Sequence, residues 1–418
     1  PDEGGGREPP ADAGAGGVRL LDRELWGRRA LHVRSSPSFT PERALYSGLP
    51  YQPPEPDALT VREGETVQRF IGAAKARGMA VWLQVQSAIP PGYRVQFGGP
   101  HPEDAPLGPN GAPVPDRVDA NASLAAPAVL AYGEAMLRDL VRAYPQIDGF
   151  RIDWPEYPPY SFGSLFFDFS PHALALAEGM GIDVERMRRD ALTVLGVLTS
   201  GLGAPALARA EPMDVHTLER ALARHPGMLD LLALKRRLSL DMLARYRAAI
   251  PDTYALVPQA FPPPWHLVTG FDLAAATQLV EGIGVKFYTM HWPMILGNWA
   301  RAMSTGKDDK ALAAALVRAT GLGEDAPSTT AGFVYPEPHE PHPASSQAIA
   351  AKMATARREA GDHVPLYAFT HAYGPLADVM RRAEACWHAS GGRMWVNRYG
   401  YMSDEKIAAF GTVVRGAS

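Results

Sequence analysis

The sequence predicts an α/β chain folded as a (β/α)8 TIM barrel, with an α-helical insertion after the fourth strand. Three observations carry this prediction. Short apolar runs alternate with amphipathic segments of helical period along most of the chain, the pattern of parallel βα units. No G-x-G-x-x-G or P-loop motif follows an early strand, which disfavours a doubly wound open sheet. The ends of the proposed strands carry amides, imidazoles, carboxylates and large aromatic rings, the residue types that the working face of a parallel barrel presents.

Taken in order, residues 1–17 are rich in Gly, Pro, Ala and acids and read as a disordered tail or linker, ahead of a single barrel domain over 18–418. Val18–Leu21 is a strand or helix start, and Ala30–Arg34 a strand. Leu45–Ala58, with Tyr46, Tyr51 and several prolines, reads as a rigid surface connection. Thr66–Arg77 sets Val67, Phe70, Ile71 and Ala74 on one helical face, and Gly78 stops it. Met79–Val85 is a strand whose end is marked by Gln84 and Gln86. Ser87–Asn121 has no period and is dense in Pro and Gly, as a functional cover would be. Ala126–Tyr144 is a helix burying Leu130, Met136, Leu137 and Leu140, and it leads into the strand that ends at Asp153.

Between Tyr160 and Tyr254 no run reads as a strand. Pro171–Gly179, Val184–Leu198, Val215–Arg224 and Met228–Ala249 read as helices, more than one crossover needs. Residues 162–251 are therefore the predicted insertion, anchored by Phe162, Phe166, Phe167 and Phe169. The βα rhythm then resumes, with strands at Tyr254–Ala260, Val285–Met290, Pro365–Thr370 and Arg393–Val396. Helices are predicted at Leu273–Val280, Asn298–Met303, Asp308–Thr320, Gln347–Ala360, Leu376–Ala389 and Asp404–Phe410, with a Pro-rich loop over Gly321–Ser345.

Composition narrows the function. Hydrophobic residues make up 46% and charged residues 21% of the 418, and the formal net charge of −4 offers no basic field for nucleic acid or an anionic membrane. No nucleic-acid or membrane partner is expected, and a small neutral substrate suits the balance. Cys386 is the single cysteine, which excludes an internal disulfide and reads as a small core residue. No apolar run reaches the length of a membrane span, so a soluble chain is expected. The chain begins at Pro1, which leaves cytoplasmic and secreted locations both open; oligomeric state is not set by the sequence.

The most informative stretch is Ile147-Asp148-Gly149-Phe150-Arg151-Ile152-Asp153-Trp154-Pro155-Glu156-Tyr157-Pro158-Pro159-Tyr160. It starts as a buried strand and breaks at prolines, leaving two carboxylates among aromatic rings. A strand buried on both faces carries acids only where they are paired or project from its end. Asp148–Asp153 resembles the fourth-strand segment of α-amylase-type glycosidases, in which a Gly-Phe-Arg-x-Asp run ends in the nucleophile. Asp148–Pro158 is also similar to the family 18 chitinase run Asp-Gly-x-Asp-x-Asp-Trp-Glu-Tyr-Pro. Here Arg151 replaces an acid and Pro155 is an extra residue before the glutamate. The matches cover six and eleven residues of 418 and imply a glycoside-hydrolase-type barrel without fixing a family. Phe287–Trp292 resembles the Met-x-Tyr-Asp end of a chitinase strand, with Pro293 where that acid would stand.

The predicted catalytic pair is Asp153 and Glu156. Arg151, two residues back on the same strand face, favours the charged form of Asp153, which suits a nucleophile or a helper to the acid. Glu156, among Trp154, Tyr157 and prolines, is placed to be desolvated, which raises a carboxyl pKa and suits a general acid. The plain alternative is a structural Arg151–Asp153 ion pair with Glu156 solvated in a loop. Substrate-binding candidates are Gln84, Gln86, Arg151, Trp154, Tyr157, Gln259, Trp265, His291, Trp292, His371, Tyr373, Asn397, Arg398 and Tyr399. Such a set can bond hydroxyls in fixed directions and stack on a pyranose face. Trp154, Tyr157, Trp265, Trp292, Tyr373 and Tyr399 are expected to share one pocket.

The predicted function is thus cleavage of glycosidic bonds in an oligo- or polysaccharide, with no cofactor and no metal. Two alternatives stand beside it. One is a sugar-binding barrel without turnover. The other is a metal-dependent hydrolase using Glu337-Pro338-His339-Glu340-Pro341-His342, whose two acids and two imidazoles are metal-ligand types but whose prolines prevent regular spacing. The same loop is also placed to carry Glu337 or Glu340 over the barrel as a second carboxylate.

Overall fold

The computed structural model describes residues 37–89, 100–115, 117, 121–303 and 308–416, together with two short strands, β1 (Gly17–Arg19) and β2 (Ala30–His32). Of the tail predicted over residues 1–17, residues 1–16 lie outside the described residues and Gly17 opens β1; parts of the 87–121 loop also lie outside them.

Six strands form one parallel sheet in sequential order: β3 (Trp82–Gln86), β4 (Gly149–Asp153), β5 (Ala255–Ala260), β6 (Ile283–Lys286), β7 (Leu366–His371) and β8 (Met394–Asn397). The sheet is curled, an incomplete barrel. The predicted ring of eight parallel strands is corrected here: β1 and β2 pair antiparallel with each other, Val18 opposite Leu31, and join none of the six. The reason is connectivity. A parallel neighbour requires a crossover of about a dozen residues or more, usually a helix, and the ten residues between β1 and β2 leave scant room for one.

Alternation along each strand sorts side chains onto two faces. Phe150, Ile152, Leu256, Ile283, Val285, Leu366 and Ala368 are fully buried and form the sheet's share of the core. The opposite, concave face is layered. At its amino end Tyr367 stacks on Trp395 at 4.5 Å between ring centroids, and Trp82 meets Trp395 at 6.1 Å, which brings the two edge strands toward each other. Above them Arg151 lies flat over Phe369 and Trp395, its Cζ 4.0 Å and 4.2 Å from the ring centroids. The Gln259 amide oxygen, oriented by its donors, accepts from Arg151 Nε at 2.6 Å and Nη2 at 2.9 Å. At the carboxyl end come Asp153, Lys286 and His371.

Gly149 opens β4 because nothing larger fits. A Cβ there would lie 2.8 Å from Trp82 Cζ3 and 2.9 Å from Ala255 N, and closer still to the Ala255 carbonyl. Gly149→Ala is expected to destabilise the fold by about 1–3 kcal/mol through overpacking of β3 against β5. Urea unfolding midpoints measure this, and an unchanged midpoint would contradict the packing described.

Of the predicted helices after β4, Pro171–Gly179 matches its expected bounds. Val184–Gly196 continues into a π-helical turn over Val197–Gly201, and Ala204–Ala208 is a further short helix. The long helix Pro226–Ala249 packs on Pro127–Ala143, where Tyr246 fills the space over Gly133. A helix at Ala58–Glu63 stands at the end of the predicted surface connection. The strand expected over Val285–Met290 ends at Lys286, and His291 already begins the helix His291–Met303. Pro293 falls in the first turn of that helix, where its missing N–H is not needed.

Candidate functional site

Asp153 is the last residue of β4 and is 7% exposed, at the carboxyl end of the sheet. Its Oδ1 accepts from the Trp154 backbone N–H at 3.0 Å and lies 2.5 Å from Lys286 Nζ on β6. Its Oδ2 accepts from Gln84 Nε2 at 3.1 Å. Side chains from β3, next to β4, and from β6, two strands away, therefore hold the carboxylate in place. The predicted Arg151–Asp153 pair is corrected: Lys286 takes the carboxylate, and Arg151 is held one layer below by Gln259 and two rings. Burial pulls Arg151 down to about 10, so it is a cation at neutral pH.

Trp154 has φ +56°, unusual for a bulky residue and worth about 1–3 kcal/mol of strain. Ser87 at the end of β3 holds this turn, its Oγ donating to the Asp153 carbonyl at 2.9 Å and to the Trp154 carbonyl.

Around Asp153 stands a wall of polar aromatic rings. Tyr288 sits 5.6 Å from His291, 5.2 Å from His371 and 5.0 Å from Phe369, centroid to centroid. Tyr160 Oη is 3.1 Å from His291 Nδ1, and the Tyr160 ring meets Trp154 edge-on. Tyr335 bridges His291 and Tyr373, and Tyr401 bridges His371 and Tyr373. Burial, with help from the Lys286 and Arg398 charges, lowers His291 to about 3. Burial and Arg398 hold His371 well below the usual imidazole range. Both rings are neutral hydrogen-bonding groups near pH 7. His371 Nδ1 accepts from the Tyr373 backbone N–H at 3.0 Å, so its Nε2 carries the proton.

The long loop before the helix Ser346–Ala360 lies against this wall. The Pro336 carbonyl accepts from Tyr373 Oη at 2.9 Å, and His342 Nδ1 is 2.7 Å from Thr289 Oγ1. Glu337 and Glu340 are exposed, with Glu340 Oε2 accepting from the Glu337 N–H at 2.9 Å. Burial first, then their charge, raises the Tyr373 hydroxyl to about 12. His342 thus points inward, away from its loop neighbours, and among the described residues no group of three or more His, Cys, Asp or Glu side chains is arranged to hold a metal ion.

Of the sequence-predicted residues, Asp153, Gln84, Trp154, His291, His371 and Tyr373 come together, with Arg151 and Gln259 beneath them. Arg398 belongs to the same neighbourhood, since its charge acts on Tyr288, His291, Tyr335 and His371. Asn397 contributes its carbonyl, which accepts from the Ala372 N–H, to the end of the β7–β8 ladder. Gln86 is exposed at the sheet edge and Tyr399 is 58% exposed.

The remaining four are packed elsewhere. Trp265 and Trp292 are buried against each other at 5.5 Å with Lys352 Nζ over both rings. Tyr157 donates to Asp168 Oδ2 at 2.7 Å and accepts from the Leu124 N–H at 2.9 Å. Glu156 is wholly enclosed, its Oε1 accepting from the Phe261 N–H at 2.5 Å and its Oε2 from the Thr269 hydroxyl. The positive φ of Trp154 and the following Pro155 carry Glu156 into the interior.

Burial raises Glu156 to about 7, against the opposing pull of Lys286, the two hydrogen bonds and Lys235. The folded state therefore holds this proton more tightly than the unfolded chain. The stability it contributes is full below about pH 4.5 and is lost as pH rises through 7, a change of about 3 kcal/mol. Glu156→Gln is expected to remove that dependence, so its stability relative to the unmodified chain rises by about 3 kcal/mol between about pH 4 and pH 8. Urea unfolding across that range reads the difference; a constant offset would show that Glu156 carries no raised pKa.

Lys286, Tyr288, Tyr335 and Tyr401 were not among the sequence candidates. Lys286 had a signal: a cation inside the apolar run Ile283-Gly284-Val285-Lys286-Phe287, as unexpected in a buried strand as Asp153.

No family model matches the sequence, and neither does any curated protein. Among solved structures, the chain is similar to a beta-galactosidase from the psychrophilic Marinomonas ef1, with a TM-score of 0.48 and 11% identity. The alignment covers 90% of this chain and 54% of that one, so the chain spans about half the length of that enzyme. A likeness at this level transfers no function. Among the described residues, no helix is long and apolar enough to cross a membrane.

Proposed function

We propose that the chain is a glycoside hydrolase acting on O-glycosyl bonds of an oligo- or polysaccharide, with Asp153 as its reactive carboxylate. The observation that carries this reading is the placement of Asp153: ion-paired and oriented by Lys286, Gln84 and the Trp154 N–H, at the strand ends, beneath a wall of tyrosines and neutral histidines. A pyranose needs an anion near its developing positive charge, fixed donors and acceptors for its hydroxyls, and rings for its apolar face. Asp153, the His291 and His371 imidazoles, and the rings of Trp154, Tyr160, Tyr288 and Tyr373 supply these.

Glu156 has a different part in this scheme. With both oxygens bonded inside the fold, it positions the Phe261–Thr269 segment rather than meeting substrate. The proton donor is assigned instead to the loop carboxylates Glu337 and Glu340, which the Tyr373–Pro336 bond keeps beside the mouth. A set of aryl glycosides with good and poor leaving groups tests this. Glu337→Gln or Glu340→Gln is expected to slow the poor leaving groups most, because they depend on protonation. Equal rates for both variants and the unmodified chain on every substrate would remove these residues from the reaction.

A second reading, sugar binding without turnover, is favoured by one observation: among the described residues Asp153 is the only carboxylate ion-paired with Lys286, and Glu156, which feels the Lys286 charge, has both oxygens bonded inside the fold. Calorimetric binding of sugars with no hydrolysis of any activated aryl glycoside would establish it.

A further inference from the structure

Among the described residues four lysines are buried, and three of them donate to two or three backbone carbonyls each. Lys235 Nζ donates to the carbonyls of Ser164, Leu165 and Val268. Lys352 Nζ donates to those of Pro263 and Thr320, and Lys406 Nζ to those of Ala372 and Tyr401. Lys286 is the exception. It is 2% exposed and its Nζ touches Asp153 Oδ1 at 2.5 Å as an ion pair, yet among the described residues no acceptor meets it in hydrogen-bonding geometry. It also lies over a ring face, Phe261, with Nζ 4.7 Å from the centroid, and its charge acts on Glu156 and His291. An ammonium has three N–H donors; the Asp153 oxygen can occupy one, and leaving the others unmade in a buried place is costly.

We propose that the unused N–H bonds of Lys286 are a substrate contact, and that they bind a neutral hydroxyl of a sugar which at the same time donates its own proton to Asp153. The charge balance decides the class of ligand. Lys286 is already paired with Asp153, so an anionic group bound to Nζ would lie within a few ångströms of that carboxylate and be repelled by it, and neither Arg151 nor Arg398 is ion-paired with Asp153 to offset the repulsion. A hydroxyl both accepts and donates, and satisfies the two charges together. The site therefore selects neutral sugars over their uronic acid counterparts. This rests on the carbohydrate reading above and deepens it by naming the residue and the substrate class.

The test is calorimetric titration with glucose, galactose, mannose and xylose, alongside glucuronate, galacturonate and the deoxy derivatives of whichever neutral sugar binds. The variants are Lys286→Met and, because the single change strands a buried carboxylate, the neutral pair Asp153→Asn/Lys286→Met. The expected result is a neutral sugar that binds better than its uronate and loses about 10–100-fold in affinity in both variants, the range of a charged hydrogen bond. One deoxy derivative is expected to bind the unmodified chain and Lys286→Met equally, which a merely structural lysine would not produce. Undiminished affinity in either folded variant, or a uronate preferred over its neutral sugar, would overturn the Lys286 assignment while leaving a carbohydrate-binding chain. Binding of no sugar at all would overturn both readings.

Discussion

Asp153→Asn is expected to lower turnover of an activated aryl glycoside by about 10³–10⁴-fold, the loss typical when a reactive group is removed and binding is kept. Asparagine preserves the side-chain shape, and its amide oxygen can still accept from the Trp154 N–H or from Gln84. What it removes is the anion, which in the proposed reaction meets the positive charge that develops at the anomeric carbon. The substitution also leaves the Lys286 ammonium without its counter-charge in a site that is almost closed to water, and breaking one side of a buried pair costs about 3–5 kcal/mol. Folding must therefore be confirmed by unfolding curves before rates are compared. The double variant Asp153→Asn/Lys286→Met separates the two effects: it is expected to recover much of the stability and none of the activity. Turnover at the unmodified rate by a folded Asp153→Asn would end the assignment.

Asp378→Asn is expected to destabilise the fold by about 3–5 kcal/mol and, under the proposed function, to weaken sugar binding without touching the sugar. Arg382 is fully buried in the helix Leu376–Ala389, where its Nε donates to Asp378 Oδ2 at 2.7 Å. Its two other nitrogens donate to the His371 carbonyl at 3.0 Å and the Tyr373 carbonyl at 2.6 Å. Asp378 in turn accepts from Arg381 at 2.6 Å and from the His342 N–H at 3.2 Å. Burial alone would raise the Asp378 carboxyl, but Arg382 and Arg381 outweigh it and hold it below its ordinary value. One carboxylate thus fixes both the end of β7 and, through His342, the last residues of the loop that lies against the site. Without its charge, Arg382 is a buried cation facing two carbonyls. Thermal unfolding of Asp378→Asn, Arg382→Met and the pair tests this. The double variant is expected to cost clearly less than the sum of the singles, whereas additive costs would show that the two residues act independently.

The strand ending at Asp153 was legible because periodicity and burial are properties of a segment. Gly149 to Asp153 alternates, stops at Pro155 and places a charged residue where only a strand end tolerates one. The same reasoning located the ends of β5, β7 and β8 to within a residue, and with them Gln259, His371 and the Tyr373 that follows. It extended less well to His291, whose strand stops at Lys286, so that the imidazole reaches the site from the first turn of a helix. Trp265 and Trp292 show the limit from the other side: both follow strands, and both turn back to cover the core.

By itself, the sequence determined the parallel βα order of six strands, the shared face of Arg151 and Asp153, and a carboxylate among rings at the end of β4. These follow from local pattern, since alternation and helical period are set by neighbours in the chain. Only the tertiary structure decided which charges meet. Arg151 and Asp153 share a face, yet the curl of the sheet stacks Arg151 on Phe369 and Trp395 and brings Lys286 from β6 to the carboxylate. The backbone turn at Trp154 and Pro155 likewise sends Glu156 inward to Phe261 and Thr269, residues more than a hundred positions away. Strand number was also a tertiary matter, because Val18–Leu21 read as a strand or a helix start and Ala30–Arg34 as a strand, and their pairing depends on what lies beside them. Periodicity fixes a residue's side of an element, but its partner is chosen by curvature and by contacts distant in sequence.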